Sequence, residues 1–301
     1  MANLVRQVNL KRMPVNRKLI GWVFVVTGII SGWLWWREQK PELEPLKISY
    51  QIERKEIAGE PVAQIRSRLN SAQGNWAVAV YRLDEKKGYG VGDSKVLPAA
   101  SIMKVPILAA VFRKLEIGDL KLEDTYALKD ADKQSGSGPI EFMNAGAKLT
   151  VKQLVTYMAK NSDNTAAYVL ANMVGRREME IEIERLGMKN TDFGENTTTA
   201  EDVAAMWQKI YEEKNQQTLD LLQGSIYEER IPAGVPDGTR VIHKVGTDLD
   251  IWSDAGIVMA EKPFILVIMN EGVDIDRAKK LVPELTKLIW DFEAERNAKP
   301  Q

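Results

Sequence analysis

A run of apolar residues from Val105 to Phe112 restricts the fold of this chain more than any other segment. Pro106 places the start of a helix here, because proline is tolerated in a first turn but loses a hydrogen bond and clashes deeper in a helix. The residues after it are apolar on every side of such a helix. A helix without a polar face must be buried, so the sequence predicts a central helix surrounded by other elements.

Two polar side chains, Ser101 and Lys104, stand at the start of this helix. Positions i and i+3 share one helix face, so Ser101 Oγ and Lys104 Nζ can meet. At a helix start, unpaired N–H groups and the positive end of the dipole favour the anion that forms during acyl transfer. A Ser-x-x-Lys pattern also arises by chance, so it indicates nucleophilic catalysis only together with partner residues elsewhere.

The balance of charged and sulfur-containing residues excludes several functions. The formal net charge is −1 over 301 residues, which gives no electrostatic case for binding nucleic acid. Without cysteine there is no thiol nucleophile, disulfide or Cys/His zinc site, and we expect neither a metal nor a cofactor. A Ser-His-Asp triad would need His243, the single histidine. Its neighbours suggest no such group, so we interpret it as an ordinary sheet residue.

The N-terminal region has the charge pattern of a membrane anchor. Residues 1–18 are basic without an acidic residue, and 19–36 carry no charge and end with Trp33, Trp35 and Trp36. This pattern predicts one transmembrane helix over 19–36 with a cytoplasmic N-terminus and an extracytoplasmic catalytic domain. A cleaved signal peptide is the alternative, but the residues after the span offer no small-residue cleavage site. Residues 37–57 are polar and contain two prolines, which is typical of a linker.

The predicted span contains a Gly-x-x-x-Gly pair, Gly28 and Gly32. Such pairs allow two membrane helices to approach closely. A homodimer formed through this pair is therefore an alternative to a chance occurrence of small residues.

Residues 58–301 show the alternating helix and strand patterns of one globular domain. A helix over 61–71 and a hairpin of 76–81 with 88–92 precede Ser101, and an irregular stretch follows over 123–146. Further helices are predicted at 151–160, 165–174 and 178–186, after the cap formed by Thr197–Thr199, and at 276–294. Strands are predicted at 241–245, 254–259 and 264–269. The fold class is therefore α+β: an antiparallel sheet flanked by N- and C-terminal helices, plus a mainly helical region.

Residues 178–186 allow two interpretations. Glutamate alternates with Met and Ile there, as in a strand, but Met179, Ile183 and Leu186 also share one helix face. We predict a helix whose glutamates form a solvated face.

Two further motifs follow Ser101 in the order Ser162-Asp163-Asn164 and Lys244-Val245-Gly246. Alone, the first is also a helix-capping turn and Lys244 an exposed strand lysine. With Ser101–Lys104, the set resembles the class A serine β-lactamases and their penicillin-binding relatives. The lines Thr197-Thr-Thr and Ile231-Pro-Ala-Gly-Val-Pro-Asp-Gly resemble that family as well.

The resemblance implies that Ser101 is the acyl-forming nucleophile and Lys104 its activator. A lysine amine has a pKa of about 10.4, so a base at neutral pH requires burial and a neighbouring cation to lower it. Lys244 is the candidate cation.

The remaining roles also come from the resemblance. Ser162 would relay a proton to the leaving nitrogen, and Asn164 would bind the amide side chain of the substrate, while Asp163 is structural. The strand through Gly246 would run beside the substrate. The N–H groups of Ser101 and Thr247 would form the oxyanion hole.

Two departures from the family pattern affect these expectations. Val245 replaces the usual Thr or Ser whose hydroxyl helps to hold a substrate carboxylate, and either Thr247 or Arg240 could compensate. The family's Glu-x-x-Leu-Asn loop, whose carboxylate activates the deacylating water, is shortened here and its glutamate is missing. Asp192 or Glu195 could replace that base only with a different geometry.

Three functions remain open on the sequence. The first is a membrane-anchored serine hydrolase that is acylated by β-lactams and hydrolyses them, if slowly. The second is a D,D-peptidase or another amide or ester hydrolase that acts on cell-wall peptides and is trapped by β-lactams. The third is a non-catalytic domain that binds β-lactams or the cell wall.

Overall fold

The computed structural model describes residues 60–298, and the core of this part is a five-stranded antiparallel sheet. Its strands are β1 (Asn75–Arg82), β2 (Lys87–Val91), β7 (Val241–Asp248), β8 (Ile251–Val258) and β9 (Phe264–Glu271). They lie in the order β2-β1-β9-β8-β7. The predicted antiparallel sheet is confirmed, with the first hairpin at one edge and β7 at the other.

The N- and C-terminal helices cover one face of this sheet. They are α1 (Glu60–Asn70) and α8 (Ile275–Ala298). Ile65 of α1 and Leu281 and Leu285 of α8 are fully buried in one cluster with the inward residues of the strands. Their helical spacing forms an apolar stripe on each helix, so the predicted flanking arrangement is confirmed.

The opposite face carries the mainly helical region. Its helices are α2 (Lys104–Glu116), α3 (Val151–Lys160), α4 (Asn164–Val174), α5 (Arg176–Arg185), α6 (Ala200–Glu212) and α7 (Gln216–Leu221). Every residue of α2 from Lys104 to Phe112 is buried, as the apolar run predicted. Capping hydroxyls start two of these helices, because Thr150 and Thr199 accept hydrogen bonds from the backbone N–H groups of Gln153 and Asp202.

Two short strand pairs join loops at the edge of the helical region. They are β3 (Val96–Pro98) with β6 (Thr197–Thr199), and β4 (Thr125–Ala127) with β5 (Lys148–Thr150). The β3–β6 pair holds the segment before Ser101 against the segment after α5, so these two segments are fixed to each other.

The helix predicted at 178–186 is confirmed as α5, but its glutamates do not all face solvent. Glu182 is 2% exposed and accepts hydrogen bonds from the guanidinium of Arg185 at 2.6 and 2.8 Å. A buried carboxylate requires such a partner, and an arginine three residues later can supply it from the same face.

A buried ionic cluster ties the first hairpin to α8. The carboxylate of Glu293, 1% exposed, accepts from Arg82 Nε at 2.9 Å and from Tyr89 Oη at 2.9 Å. Arg296 Nε lies 3.1 Å from the same carboxylate. The cluster therefore links the end of β1 and the middle of β2 to the last turns of the C-terminal helix.

The predicted cytoplasmic segment, span and linker, residues 1–57, lie outside the described residues. Within 60–298, no helix is both long and apolar enough to cross a membrane.

Candidate active site

Ser101 lies in a short 3-10 helix, Ala100–Met103, that leads directly into α2. The residue before it, Ala100, has a φ of +47°, a left-handed conformation that costs energy for a residue with a Cβ. The backbone N–H of Ala99 donates to the carbonyl of Asn196 at 2.9 Å, which fixes this turn to the facing wall. Ser101 is thus held by a strained but anchored turn at the start of the buried helix.

Lys104 brings the motif residues together. Its Nζ donates to Ser101 Oγ at 2.9 Å, to Asn164 Oδ1 at 2.6 Å and to Ser162 Oγ at 3.1 Å, and also to the Ser162 carbonyl. The side chain is buried. Burial lowers the pKa of Lys104 to about 7, against the opposing effect of the nearby Asp163 carboxylate. The amine beside Ser101 is therefore substantially unprotonated at neutral pH.

Ser162 lies between the two lysines. Lys244 Nζ, on β7, donates to Ser162 Oγ at 2.9 Å, opposite the bond from Lys104. Burial lowers the pKa of Lys244 well below its usual range, and the charge of Lys104 lowers it further. Ser162 adopts a φ of +54°, so its hydroxyl is directed by an uncommon backbone conformation. One hydroxyl therefore connects the two amines of the site.

Asp163 and Asn164 begin α4 beside Ser162. Asp163 is fully buried, caps α4 by accepting from Ala166 N at 2.7 Å, and accepts from Ile140 N at 2.9 Å. Asn164 accepts from Lys104 and donates through Nδ2 to the Ser135 carbonyl at 2.7 Å. Asp163 therefore shapes the turn, whereas Asn164 presents its amide to the cavity.

Gly246 and Thr247 follow Lys244 on the edge strand β7. A Cβ on Gly246 would lie 2.9 Å from the Ala99 carbonyl oxygen, so only glycine allows β7 to run this close to the Ser101 turn. Val245 is buried, whereas Thr247 is exposed and lines the cavity of Ser101.

Arg230 is a site residue that sequence reasoning missed. Its Nη2 donates to Thr247 Oγ1 at 2.6 Å, and its Nη1 donates to the carbonyls of Gly246 at 2.9 Å and Ser253 at 2.6 Å. The guanidinium carbon lies 3.6 Å from the ring centroid of Trp252, a stacked cation–π contact. The buried guanidinium of Arg230 thus orients the hydroxyl of Thr247. This hydroxyl lies two residues after Val245, where a Thr or Ser hydroxyl is missing.

Arg240, the other residue expected to supply this function, is not among the residues that line the cavity of Ser101. Arg240 lies 3.6 Å from Asp220 in an exposed ion pair. The signal for Arg230 was its position immediately before Ile231, where the family-like line begins. Arg230 reaches Thr247 because the chain folds back onto β7, and no local sequence pattern indicates this contact.

His243 lies in β7, as predicted, but in a buried ionic group. Its Nδ1 is 2.9 Å from Asp254 Oδ1 and its Nε2 is 3.5 Å from Glu228 Oε1. These carboxylates raise the pKa of His243 to about 9, although burial opposes them. Alternation along the strand directs it away from Lys244, and its ring contacts are with carboxylates rather than with Ser101. Within residues 60–298, no cluster of acidic or histidine side chains could hold a metal.

The cavity in front of Ser101 has a volume of about 310 Å³. It is lined by Ala100, Ser101, Met103, Lys104, Ile107, Asn164, Ala167, Phe193, Asn196, Thr247 and Asp248. Neither Asp192 nor Glu195 is among these residues. Asp192 Oδ1 instead accepts from the N–H groups of Gly194 and Glu195 at 2.8 and 3.0 Å, which closes a tight turn. Phe193 presents an apolar ring where the shortened loop faces Ser101.

Ser101 is hydrogen-bonded to the buried Lys104, and the Ser162 hydroxyl lies between Lys104 and Lys244 of the edge strand. This arrangement defines a serine hydrolase that works through an acyl-enzyme. The fold places this set between an antiparallel sheet and a helical region. The chain belongs to the Beta-lactamase enzyme family, whose model matches residues 60–292.

Curated relatives include both β-lactamases and a peptidase. β-Lactamase VEB-1 of Pseudomonas aeruginosa is 23% identical over 267 residues, covering 76% of this chain and 89% of VEB-1. The extended-spectrum β-lactamase PER-1 of the same organism is 23% identical, with 77% and 87% covered. D-alanyl-D-alanine carboxypeptidase DacF of Bacillus subtilis is 26% identical over 132 residues, 42% of this chain and 34% of DacF.

Solved structures share the fold. PBP-A superposes with a TM-score of 0.74 at 22% identity, covering 78% of this chain and 96% of PBP-A. A β-lactamase from Sphaerobacter thermophilus gives 0.73 at 24% identity, with 80% and 98% covered. The predicted β-lactamase/transpeptidase-like fold is confirmed.

Proposed function

We propose that this serine hydrolase forms an acyl-enzyme on Ser101 with β-lactams. Ser101 Oγ bonds to the carbonyl carbon while the ring C–N bond breaks. The hydroxyl proton passes to Lys104 Nζ, and a proton returns through Ser162 Oγ to the ring nitrogen. The observation that carries this proposal is the 2.9 Å hydrogen bond from Lys104 to Ser101 together with the pKa of about 7 for that lysine.

The substrate-binding roles follow from the same geometry. Asn164 offers its amide to the acyl side of the substrate. On the other side, the Arg230–Thr247 pair provides positive charge and a hydroxyl for a carboxylate, and Lys244 provides a further N–H donor. Thr247, oriented by Arg230, offers the hydroxyl that Val245 lacks.

We propose that release of the acyl group is slow. Water must attack the acyl carbon while a base takes its proton, and loss of such a base costs about 10² to 10⁴ in rate. Asp248 is the carboxylate that lines the cavity, but it lies two residues past Gly246, about 7 Å further along β7. Its Oδ1 accepts from Leu249 N at 2.8 Å. Lys104 would then have to act as the base in both acylation and deacylation.

A cell-wall peptide is the second candidate substrate. A slow release of β-lactams is compatible with an enzyme that turns over peptide amides and is trapped by penicillins. The relative DacF is a D-alanyl-D-alanine carboxypeptidase, and a point mutant of PBP-A was solved as an acyl-enzyme complex with penicillin G. The name of DacF supports a cell-wall peptide as the substrate, whereas the name of VEB-1 supports a β-lactam.

A fluorescent penicillin should label the full-length chain on Ser101, with an adduct detected by mass spectrometry. We expect one adduct per chain that persists long after the free drug is removed, because Asp192 and Glu195 do not line the cavity and the Asp248 carboxylate is held by the N–H of Leu249. Ser101→Ala should remain unlabelled. Rapid release of hydrolysed drug would support efficient β-lactamase action and contradict slow deacylation. Equal labelling of Ser101→Ala would disprove the proposed nucleophile.

We also propose that residues 19–36 anchor the chain in the cell membrane, with the N-terminus cytoplasmic and the hydrolase domain outside. The support is the basic flank, the uncharged run and its terminal tryptophans. A reporter that is active only outside the cytoplasm, fused after Gln301, should be active in cells. An inactive reporter, with a cytoplasmic reporter active at the same position, would overturn this orientation. Dimerisation through Gly28 and Gly32 stays a prediction about the same segment.

A further inference from the structure

The cavity of Ser101 adjoins a second cavity on the other side of Phe193. This second space has a volume of about 380 Å³. Both cavities are lined by Ile107, Ala167 and Phe193, so the Phe193 ring stands where they meet. The two spaces together form a groove that begins at the nucleophile and leads away from β7.

The direction of the groove matches the acyl side of a bound substrate. The leaving-group side is the side of β7, where the Arg230–Thr247 pair offers charge and a hydroxyl for a carboxylate and Lys244 offers an N–H donor. The acyl side passes Asn164, the first residue of α4. From Asn164 onward, the open path is along α4.

The floor of the groove is a row of small side chains on α4. Ala167 and Ala171 are four residues apart and share one helix face, with Tyr168 and Asn172 beside them. From Asn164 to Asn172 the helix rises about 12 Å. An extended peptide advances about 3.3 Å per residue, so this length accommodates three to four residues.

The far end of the groove is polar. Arg176 and Asn172 line it, and both present hydrogen-bond donors. Arg176 Nε donates to Glu180 at 2.9 Å, and its Nη2 lies 3.8 Å from the position that a Cβ on Gly194 would take. The guanidinium therefore borders the wall of the groove, and its remaining N–H groups suit carbonyl or carboxylate oxygens.

We propose that this groove is a subsite for an extended peptide on the acyl side of the scissile bond, three to four residues long, whose distal oxygens bind Arg176. This inference rests on the proposed acyl-enzyme chemistry at Ser101. It makes a peptide substrate with a long acyl portion the preferred one. Compact acyl groups, such as those of simple penicillins, leave the groove empty.

The test compares two thioesters on the full-length chain: one of N-acetyl-D-alanine, and one in which three further alanines precede the D-alanine. Release of the thiol reports acylation of Ser101. We expect the extended thioester to react at least tenfold faster. Ala171→Leu, which fills the floor, should bring the ratio of the two rates close to one, whereas Ala171→Ser should preserve it.

Arg176→Ala should lower the rate ratio about threefold or more, and Arg177→Ala, its exposed neighbour outside the groove, should leave the ratio unchanged. Fluorescent penicillin provides the separate readout, because it should label the parent and all four variants equally. Equal rates for the two thioesters with normal penicillin labelling would overturn the subsite. Equal ratios in the two Ala171 variants would also overturn it. A parent that penicillin does not label would instead contradict the chemistry at Ser101.

Discussion

Replacing Lys104 with methionine is expected to slow acylation of Ser101 by a penicillin by a factor of about 10² to 10⁴, the usual contribution of a positioned base. Methionine fills the buried space but cannot take the hydroxyl proton. The measurement is the second-order rate of adduct formation. Lys152→Met, an exposed lysine on α3, should react at the parent rate.

The same base predicts a pH dependence with a definite sign. Lys104 accepts a proton only when it is neutral, and its pKa is about 7. The parent rate should therefore rise about tenfold per pH unit below 7 and level off above it. The profile of Lys104→Met should lose this inflection. A flat parent profile between pH 6 and 8, or a variant as fast as the parent, would show that another group takes the proton.

Replacing Glu293 with alanine is expected to destabilise the fold by about 3 kcal/mol, because the buried Arg82 guanidinium loses its buried partner and keeps only the Glu85 carboxylate at 3.3 Å. Tyr89 Oη also loses its acceptor. Unfolding of the full-length chain by urea measures the change. Glu295→Ala, on the exposed side of the same helix, is the matched control.

The double variant Arg82→Met with Glu293→Leu distinguishes a broken ion pair from lost packing. Removing both charges should recover much of the stability lost in Glu293→Ala, because the Arg82–Glu293 pair is then removed as a whole and Arg296 keeps Asp84 and Glu85 as partners. If Glu293→Ala and Glu295→Ala unfold at the same urea concentration, the cluster does not contribute to stability as described.

Local periodicity explains most of what the sequence could predict about the fold. The apolar run of α2 and the stripes of α1 and α8 each require burial against a neighbour, and that requirement can be read residue by residue. Burial of Glu182 and of the Glu293 cluster depends on partners brought near by tertiary structure. Charged residues in such places look like ordinary surface residues in the sequence.

The candidate site could likewise be predicted only in part. The order of the three motifs indicated that Ser101, Ser162 and Lys244 belong together. In the structure, Lys104 donates hydrogen bonds to both serines, and Lys244 donates one to Ser162. The partner of Thr247 could not be predicted, because Arg230 reaches it across a fold-back of the chain onto β7. The left-handed φ of Ser162 could not be predicted either, because the residues Ser-Asp-Asn also suit an ordinary helix-capping turn.

The proposed slow release of the acyl group, with Phe193 in the short turn before Ser101, has a consequence for a cell that makes this protein. A protein that keeps its acyl group removes one drug molecule per copy and is then spent. Protection from a β-lactam would scale with the number of copies present, as in a titration. If a cell-wall peptide is the substrate, its processing would stop at the same stoichiometric point, so the protein would act as a target of the drug before it could act as a defence.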